Sequence, residues 1–238
     1  MVKKLVSLVL SYALSCGVAM AQEIDMSGFA NHEKDLFNII QDNYGTKNVR
    51  RLKNKQIVVD KDEHKLSLVV DGKVLKEYKI GLSGENVGDK YFQGDGRTPE
   101  GEFYFAYTGR GNYGLSFKFS YPSIKHAKRG LKYGIITEGE YKRIIRANKS
   151  CKMPPQNTNL GSWVVIHGGG NEDDWTAGCV ALDDGESHEI KKFIVTGCSE
   201  RATRLVIKDT VEKPPDFERS KFKDKDKMKA YFDRIDDI

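Results

Sequence analysis

The apolar positions change their period along the chain. A largely apolar run, Leu5 to Val18, opens it. Over residues 28–44, Phe29, Leu36, Phe37, Ile39 and Ile40 recur among polar residues at helical spacing, which predicts a short amphipathic helix. From Gln56 the period falls to two. Ile57 and Val59, then Leu66, Leu68 and Val70, alternate with polar neighbours, and Asp71-Gly72 divides this run from the apolar residues of 74–80. That is the signature of a β-hairpin. Further strands are predicted at 101–108, 115–119, 163–167, 178–182 and 204–208. Helices are predicted at 138–147 and at 184–195, where Ile190, Phe193 and Ile194 form a stripe. Many short strands with Gly-rich turns and few helices predict a mainly β, α+β domain over residues 55–208. Residues 22–54 form a helical extension before it, and residues 209–238 a charged tail after it.

Composition narrows the class. At 238 residues the chain holds one ordinary domain with extensions. Eleven Tyr and eleven Phe argue against wholesale disorder, and six prolines without a Gly-X-Y period exclude a fibrous chain. A net charge of +5, with both signs interspersed, gives no reason to expect a nucleic-acid partner. The tail after Pro214-Pro215 mixes acidic and basic residues evenly, as a solvated helix or extension would.

The opening run addresses the protein. Lys3 and Lys4 precede it and Ala19-Met20-Ala21 close it, so residues 1–21 read as a cleavable secretory signal. Lipidation at Cys16 is the weaker alternative, because Ala13-Leu14-Ser15 is a poor lipobox. No later segment is apolar enough for stable membrane insertion. After cleavage Cys151, Cys179 and Cys198 remain, an odd number for an oxidising compartment. A Cys151–Cys198 disulfide would leave Cys179 free, although spacing alone does not establish the pairing.

The chemistry concentrates in Val164-Val165-Ile166-His167-Gly168-Gly169-Gly170 and in Asp174-Trp175-Thr176-Ala177-Gly178-Cys179-Val180-Ala181-Leu182. An apolar strand ends in a histidine, a glycine-rich loop follows, and a Gly-Cys pair opens the next strand. This layout can bring His167 and Cys179 together at neighbouring strand ends. A thiol with a pKa of about 8.5 is mostly protonated, and an adjacent imidazole would make it a competent nucleophile. Such a thiol should alkylate faster than a model thiol near neutral pH. The N–H groups of Gly178 and Cys179 could face one oxyanion, and the Gly168 carbonyl could orient the ring. Burial as a small core residue is the plainer reading of a single cysteine. The spacings of His167, Cys179, His188, Cys198 and Cys151 match no compact metal-ligand pattern, and no cofactor is implied.

This stretch resembles the signature of the L,D-transpeptidase (YkuD-type) family, in which a strand-end His precedes a Ser/Thr-x-Gly-Cys element. Upstream, Gly88-Asp89-Lys90, Gly94-Asp95-Gly96 and Arg97-Thr98-Pro99-Glu100-Gly101-Glu102-Phe103 resemble the family's turn into a core strand. Ser120-Tyr121-Pro122 resembles a substrate-side segment of the YafK-like branch. Ile57-Val58-Val59-Asp60 with Leu66-Ser67-Leu68 is similar to the first hairpin. The resemblance spans about residues 55–208 and implies a β-sandwich-like catalytic domain without a metal.

Carried over by position, Cys179 would be the nucleophile and His167 its base. Gly168 would orient the ring, and Gly178 with Cys179 would form the oxyanion hole. Thr176 would shape the turn and, with Tyr121 and Trp175, line the substrate side. Apart from the resemblance, basic residues such as Lys118, Lys125 or Arg129 could meet substrate carboxylates, but no spacing compels that and a solvated basic face is the plainer reading. The implied activity is transpeptidation of peptidoglycan stem peptides in the periplasm, with release of D-alanine, and a wall-attached protein could serve as acceptor or substrate. Ala177 and Ala181 stand where many members have His and Arg, and Cys179 follows His167 by an interval of only 12 residues. These departures resemble the YafK-like branch, some of whose members are hydrolases. An L,D-carboxypeptidase or amidase is therefore the alternative, and a non-catalytic wall-binding module a second.

Overall fold

The computed structural model describes residues 35–211. The expected secretory signal at 1–21, Phe29 of the predicted 28–44 helix and nearly all of the expected 209–238 tail lie outside the described residues. Within them, α1 (Leu36–Tyr44) turns Leu36, Ile39 and Ile40 into the core. Asp35 caps its start by accepting from Phe37 N–H, and Gly45 ends it at φ 65°, a conformation glycine adopts without penalty.

Three strands follow: β1 (Lys55–Asp60), β2 (Lys65–Val70) and β3 (Lys73–Lys79). Asp71 (φ 50°) and Gly72 (φ 80°) both take left-handed backbone between β2 and β3, as a two-residue hairpin turn requires. Then come β4 (Gly101–Gly111), β5 (Gly114–Phe119), α2 (Ile124–Lys132), α3 (Glu138–Lys149), β6 (Val165–His167), β7 (Val180–Ala181), α4 (Asp184–Phe193) and β8 (Arg204–Ile207). The helix α2 is absent from the sequence expectations because its apolar stripe is only Ile124, Ala127 and Leu131. Gly130 breaks its propensity but lets it press on Leu160, whose Cδ2 would lie 2.7 Å from an added Cβ.

The strands form one mixed sheet in the order β3-β2-β1-β8-β4-β5-β6-β7. The α+β class is thus as expected from the pattern. The long β4 joins the two halves: Gly101–Tyr104 pair with β8, and from Phe105 onward the strand pairs with β5 across a register shift. At the far ends, Gly81 and Ala181 exchange backbone hydrogen bonds of 2.8 and 3.0 Å, so the sheet folds back until its two edges meet. Alternate residues of β1, β2, β4, β5 and β8 fill the interior, including Ile57, Leu68, Phe105, Phe117, Phe119 and Leu205, all fully buried. Each such side chain contributes roughly 1.5–3 kcal/mol of transfer free energy. A second cluster of Tyr91, Phe92, Ala127, Ile136, Ile144 and Leu160 lies under α2 and α3.

The connection from β3 to β4 is a long loop held by buried charge. Lys90 pairs with Asp95 (2.6 Å) and Lys61 with Glu100 (2.5 Å). Asp89 accepts from His126 (3.0 Å), Arg129 (2.8 Å) and the N–H of Glu100 (2.8 Å). Burial alone would raise the Asp89 carboxyl, but His126, Arg129 and Lys125 hold it well below the usual range. Cys151, just after α3, and Cys198, between α4 and β8, form a disulfide and leave Cys179 as the free thiol among the described residues.

Candidate active site

β6 and β7 run parallel, with Ile166 opposite Val180 and His167 opposite Ala181. One residue back, the same register sets Cys179 opposite Val165. Because side chains alternate across a strand, His167, Val165, Ala181 and Cys179 share one face of the sheet, on strands about 4.8 Å apart. β5 extends that face, with Ser116 opposite His167 and Lys118 opposite Val165. The sheet therefore brings the sequence-predicted pair, His167 and Cys179, to adjacent strand ends.

The loop after β6 is shaped by close approach. Gly169 (φ 100°) and Gly170 (φ 106°) occupy backbone open to glycine, and a Cβ on Gly168 would clash with Asp184 Oδ1 and crowd the Tyr113 carbonyl. Asp184, in the first turn of α4, accepts from Gly169 N–H at 3.0 Å and ties the loop down. Asp174 fastens the next stretch, accepting from Leu82 N–H (2.8 Å) and pairing with His64 (2.9 Å).

His167 is only 4% exposed, and its Nδ1 lies 2.6 Å from the Gly168 carbonyl. A carbonyl only accepts, so Nδ1 carries the proton and Nε2 keeps its lone pair. Tyr113 stacks on the ring at 5.1 Å between centroids, and Trp175 flanks it at 5.4 Å. Burial pushes the imidazole below its ordinary pKa, while the Gly168 bond opposes the shift. The ring is a neutral base at neutral pH.

Cys179 is half-buried, and its Sγ sits 3.6 Å from the Trp163 carbonyl. Burial raises the thiol above its ordinary range, against a backbone hydrogen bond from Val165 and the charge of Lys90. Burial thus acts on both groups in the direction that favours a resting pair of thiol and neutral imidazole.

The remaining predicted residues divide. Thr176 Oγ1 donates to the Cys179 carbonyl (2.8 Å) and accepts from Gly178 N–H (3.3 Å), closing the turn before the cysteine. The N–H of Gly178 is thus engaged inside the turn. A Cβ there would lie 2.5 Å from the Arg97 carbonyl, so the residue is small because the 97–101 loop packs on it. Trp175 stands beside His167, 40% exposed, its Nε1 donating to Gly170. With Tyr113, Gly169, Gly170, Glu172 and Asp173 it lines a cavity of about 430 Å³. Tyr121 is placed elsewhere. It is 1% exposed, its hydroxyl donates to the Leu160 carbonyl, and it belongs to the core. Lys125 and Arg129 face Asp89 and not the thiol.

Sequence reasoning missed Tyr113 and Trp163. Tyr113 sits in the β4–β5 turn, where an aromatic residue between glycines was the available signal. The sequence pattern predicts Trp163 as the first residue of its strand, but its φ of 55° excludes it from the ladder, and β6 begins two residues later. A larger cavity of about 500 Å³, lined by Phe103, Tyr104, Ser123, Asn148, Cys198 and Arg204 among others, touches neither Cys179 nor His167. Among the described residues, no three His, Cys, Asp or Glu side chains converge as a metal site. No helix among them is long and apolar enough to cross a membrane.

Residues 54–211 match the L,D-transpeptidase catalytic domain family, YkuD. Solved structures similar to this chain include the helical cell shape determining protein Pgp2 from Campylobacter jejuni. It is 18% identical with a TM-score of 0.45, over 68% of this chain and 50% of that one. Bd1075 from Bdellovibrio bacteriovorus is 20% identical with a TM-score of 0.44, over 78% and 56%. An L,D-transpeptidase from Xylanimonas cellulosilytica is 14% identical with a TM-score of 0.39, over 66% and 62%. The chain thus spans between half and two thirds of the length of these structures. No protein of curated function matches it.

Proposed function

The chain belongs to the YkuD family of L,D-transpeptidase catalytic domains, and from that membership we propose that it is an exported cysteine acyltransferase acting on peptidoglycan stem peptides. The observation that carries this reading is the pair itself. A free Cys179 and a His167 whose Nδ1 is pinned to the Gly168 carbonyl stand on one face of adjacent parallel strands.

In this reading a stem peptide enters with the carbonyl of its diamino acid over Sγ. Nε2 of His167 takes the thiol proton as sulfur attacks, which makes unneeded a thiolate the buried site would disfavour. Ala181 N–H turns away from β6 to the Gly81 carbonyl, whereas Leu182 N–H donates to His167. By the same alternation Cys179 N–H points away from β6, and we assign it to the oxyanion. One such donor is worth about 3 kcal/mol in the transition state. Gly178, its own N–H occupied by Thr176, contributes space and conformation. Collapse of the intermediate breaks the C–N bond, His167 returns the proton to the leaving amine, and D-alanine departs from a thioester on Cys179. An amine acceptor then restores the thiol and forms a cross-link; water in its place gives trimming.

The export in this proposal rests on reading residues 1–21 as a secretory signal, and the Cys151–Cys198 disulfide, a bond characteristic of oxidising compartments, supports it. The YafK-like resemblance rests on Ala177, Ala181 and the short His-to-Cys interval, and it makes hydrolysis the competing outcome. Purified tetrapeptide muropeptides, the mature protein and its Cys179→Ala variant, read by mass spectrometry, test the proposal. Cys-dependent loss of D-alanine with dimers formed is the expected result. Tripeptide without dimers, even with an added D-amino acid, would make the protein a carboxypeptidase, and no Cys-dependent change would overturn the acyl-transfer reading.

A further inference from the structure

We propose that Lys118 is the anchor for a carboxylate of the stem peptide, held in place by the rings of Trp163 and Tyr107; the inference rests on reading Cys179 as the acylated nucleophile. Lys118 pairs with Val165 across β5 and β6, on the face that carries His167 and Cys179. Its ammonium lies 4.5 Å from the centroid of Trp163 and 5.2 Å from that of Tyr107. Both rings are more than half exposed, at 55% and 53%. Among the described residues no carboxylate forms an ion pair with Lys118, whereas Lys125 and Arg129 are both committed to Asp89.

The scaffold around Lys118 is built. Trp163 holds a left-handed φ of 55°, costly for a bulky side chain, and its N–H donates to Gln156 Oε1 at 2.8 Å. Gln156 is itself fixed by donating to the Tyr121 carbonyl at 2.7 Å. The same Trp163 receives the Cys179 thiol on its carbonyl, so one residue touches the nucleophile with its backbone and the cation with its ring. On the other flank the Tyr107 ring folds over Gly109, where an added Cβ would lie 2.5 Å from Cε1. Aromatic faces hold an ammonium without neutralising it, which leaves its charge for a ligand. The ligand this geometry fits is an anion on the face of the acylated carbon, where Lys118 and Cys179 stand two strand spacings apart, roughly 10 Å at the backbone. A stem tetrapeptide offers three: the C-terminal carboxylate, the side-chain carboxylate of the diamino acid, and the α-carboxylate of glutamate.

Binding is measured first, without chemistry, in the Cys179→Ala background. Tetrapeptide affinity is followed by Trp fluorescence and calorimetry with Lys118, Lys118→Met and Lys118→Arg, alongside three donors each amidated at one carboxylate. We expect Lys118→Met to weaken the all-acid donor about 10- to 100-fold and Lys118→Arg to retain most of the affinity. One amidated donor should bind Lys118 protein equally weakly and lose nothing further in Lys118→Met, which names the carboxylate. A loss under twofold in Lys118→Met, or an equal loss on all four donors, overturns the proposal. Thermal melts of each variant separate a folding defect from lost recognition. Turnover by the Cys179 protein is then measured separately. Lys118-dependent binding without turnover would leave the anchor standing and refute acyl transfer, and turnover indifferent to Lys118 would do the reverse.

Discussion

The resting site should behave as a neutral pair, and the pH dependence of Cys179 alkylation tests this directly. A free thiol with a pKa of about 8.5 is ~3% ionised at pH 7. Burial raises Cys179 further, so its thiolate fraction at neutral pH lies below that value. Iodoacetamide should therefore label the mature protein at pH 7 more slowly than a model thiol, with the rate still climbing above pH 9. Burial shifts His167 the other way, so its imidazole stays deprotonated below the ordinary range of about 6.5. The acid limb of kcat/KM for a stem donor should then fall below pH 6.5, far from the alkylation inflection. His167→Ala should change labelling less than twofold while lowering turnover by about 10²- to 10⁴-fold, the usual share of a general base. The assay is mass-spectrometric labelling between pH 5 and 10 beside release of D-alanine over the same range. An alkylation inflection near pH 6–7 that disappears in His167→Ala would mean a preformed thiolate–imidazolium pair, and the general-base mechanism would be wrong.

Other consequences are structural. Gly178→Ala places a methyl group 2.5 Å from the Arg97 carbonyl at φ 114°; strain of about 1–3 kcal/mol should lower Tm, and kcat/KM should drop with it as the turn before Cys179 shifts. Asp89→Asn strips the buried partner of His126, Arg129 and Lys125 and should cost about 3–5 kcal/mol in a urea titration. Because the Asp89 carboxyl is held well below its usual range, its contribution is present above about pH 4 and lost as pH falls further. Removing the disulfide by Cys151→Ser with Cys198→Ser opens a loop of 47 residues and should cost roughly 4 kcal/mol by chain entropy, leaving Cys179 labelling unchanged.

The alternation of Ile57, Val59, Leu66, Leu68 and Val70 fixes which residues face the core, and Asp71-Gly72 fixes the hairpin, because both depend on neighbours in the chain. The candidate nucleophile and base were legible for the same reason: the strand-end His167, the glycines after it and the Gly178-Cys179 step are local features. Sequence could not show that Tyr121 is a core residue or that Gly178 N–H is already taken by Thr176. It could not show that Tyr113 and Trp163 belong to the site, nor that Cys151 meets Cys198 across the fold. Each of these depends on contacts between residues far apart in the chain, created when β4 joins the two halves of the sheet and the edges close at Gly81 and Ala181. Protonation is decided there too. Residue type sets the ordinary pKa of a thiol or an imidazole, but burial, which only the packed fold creates, moves Cys179 and His167 apart.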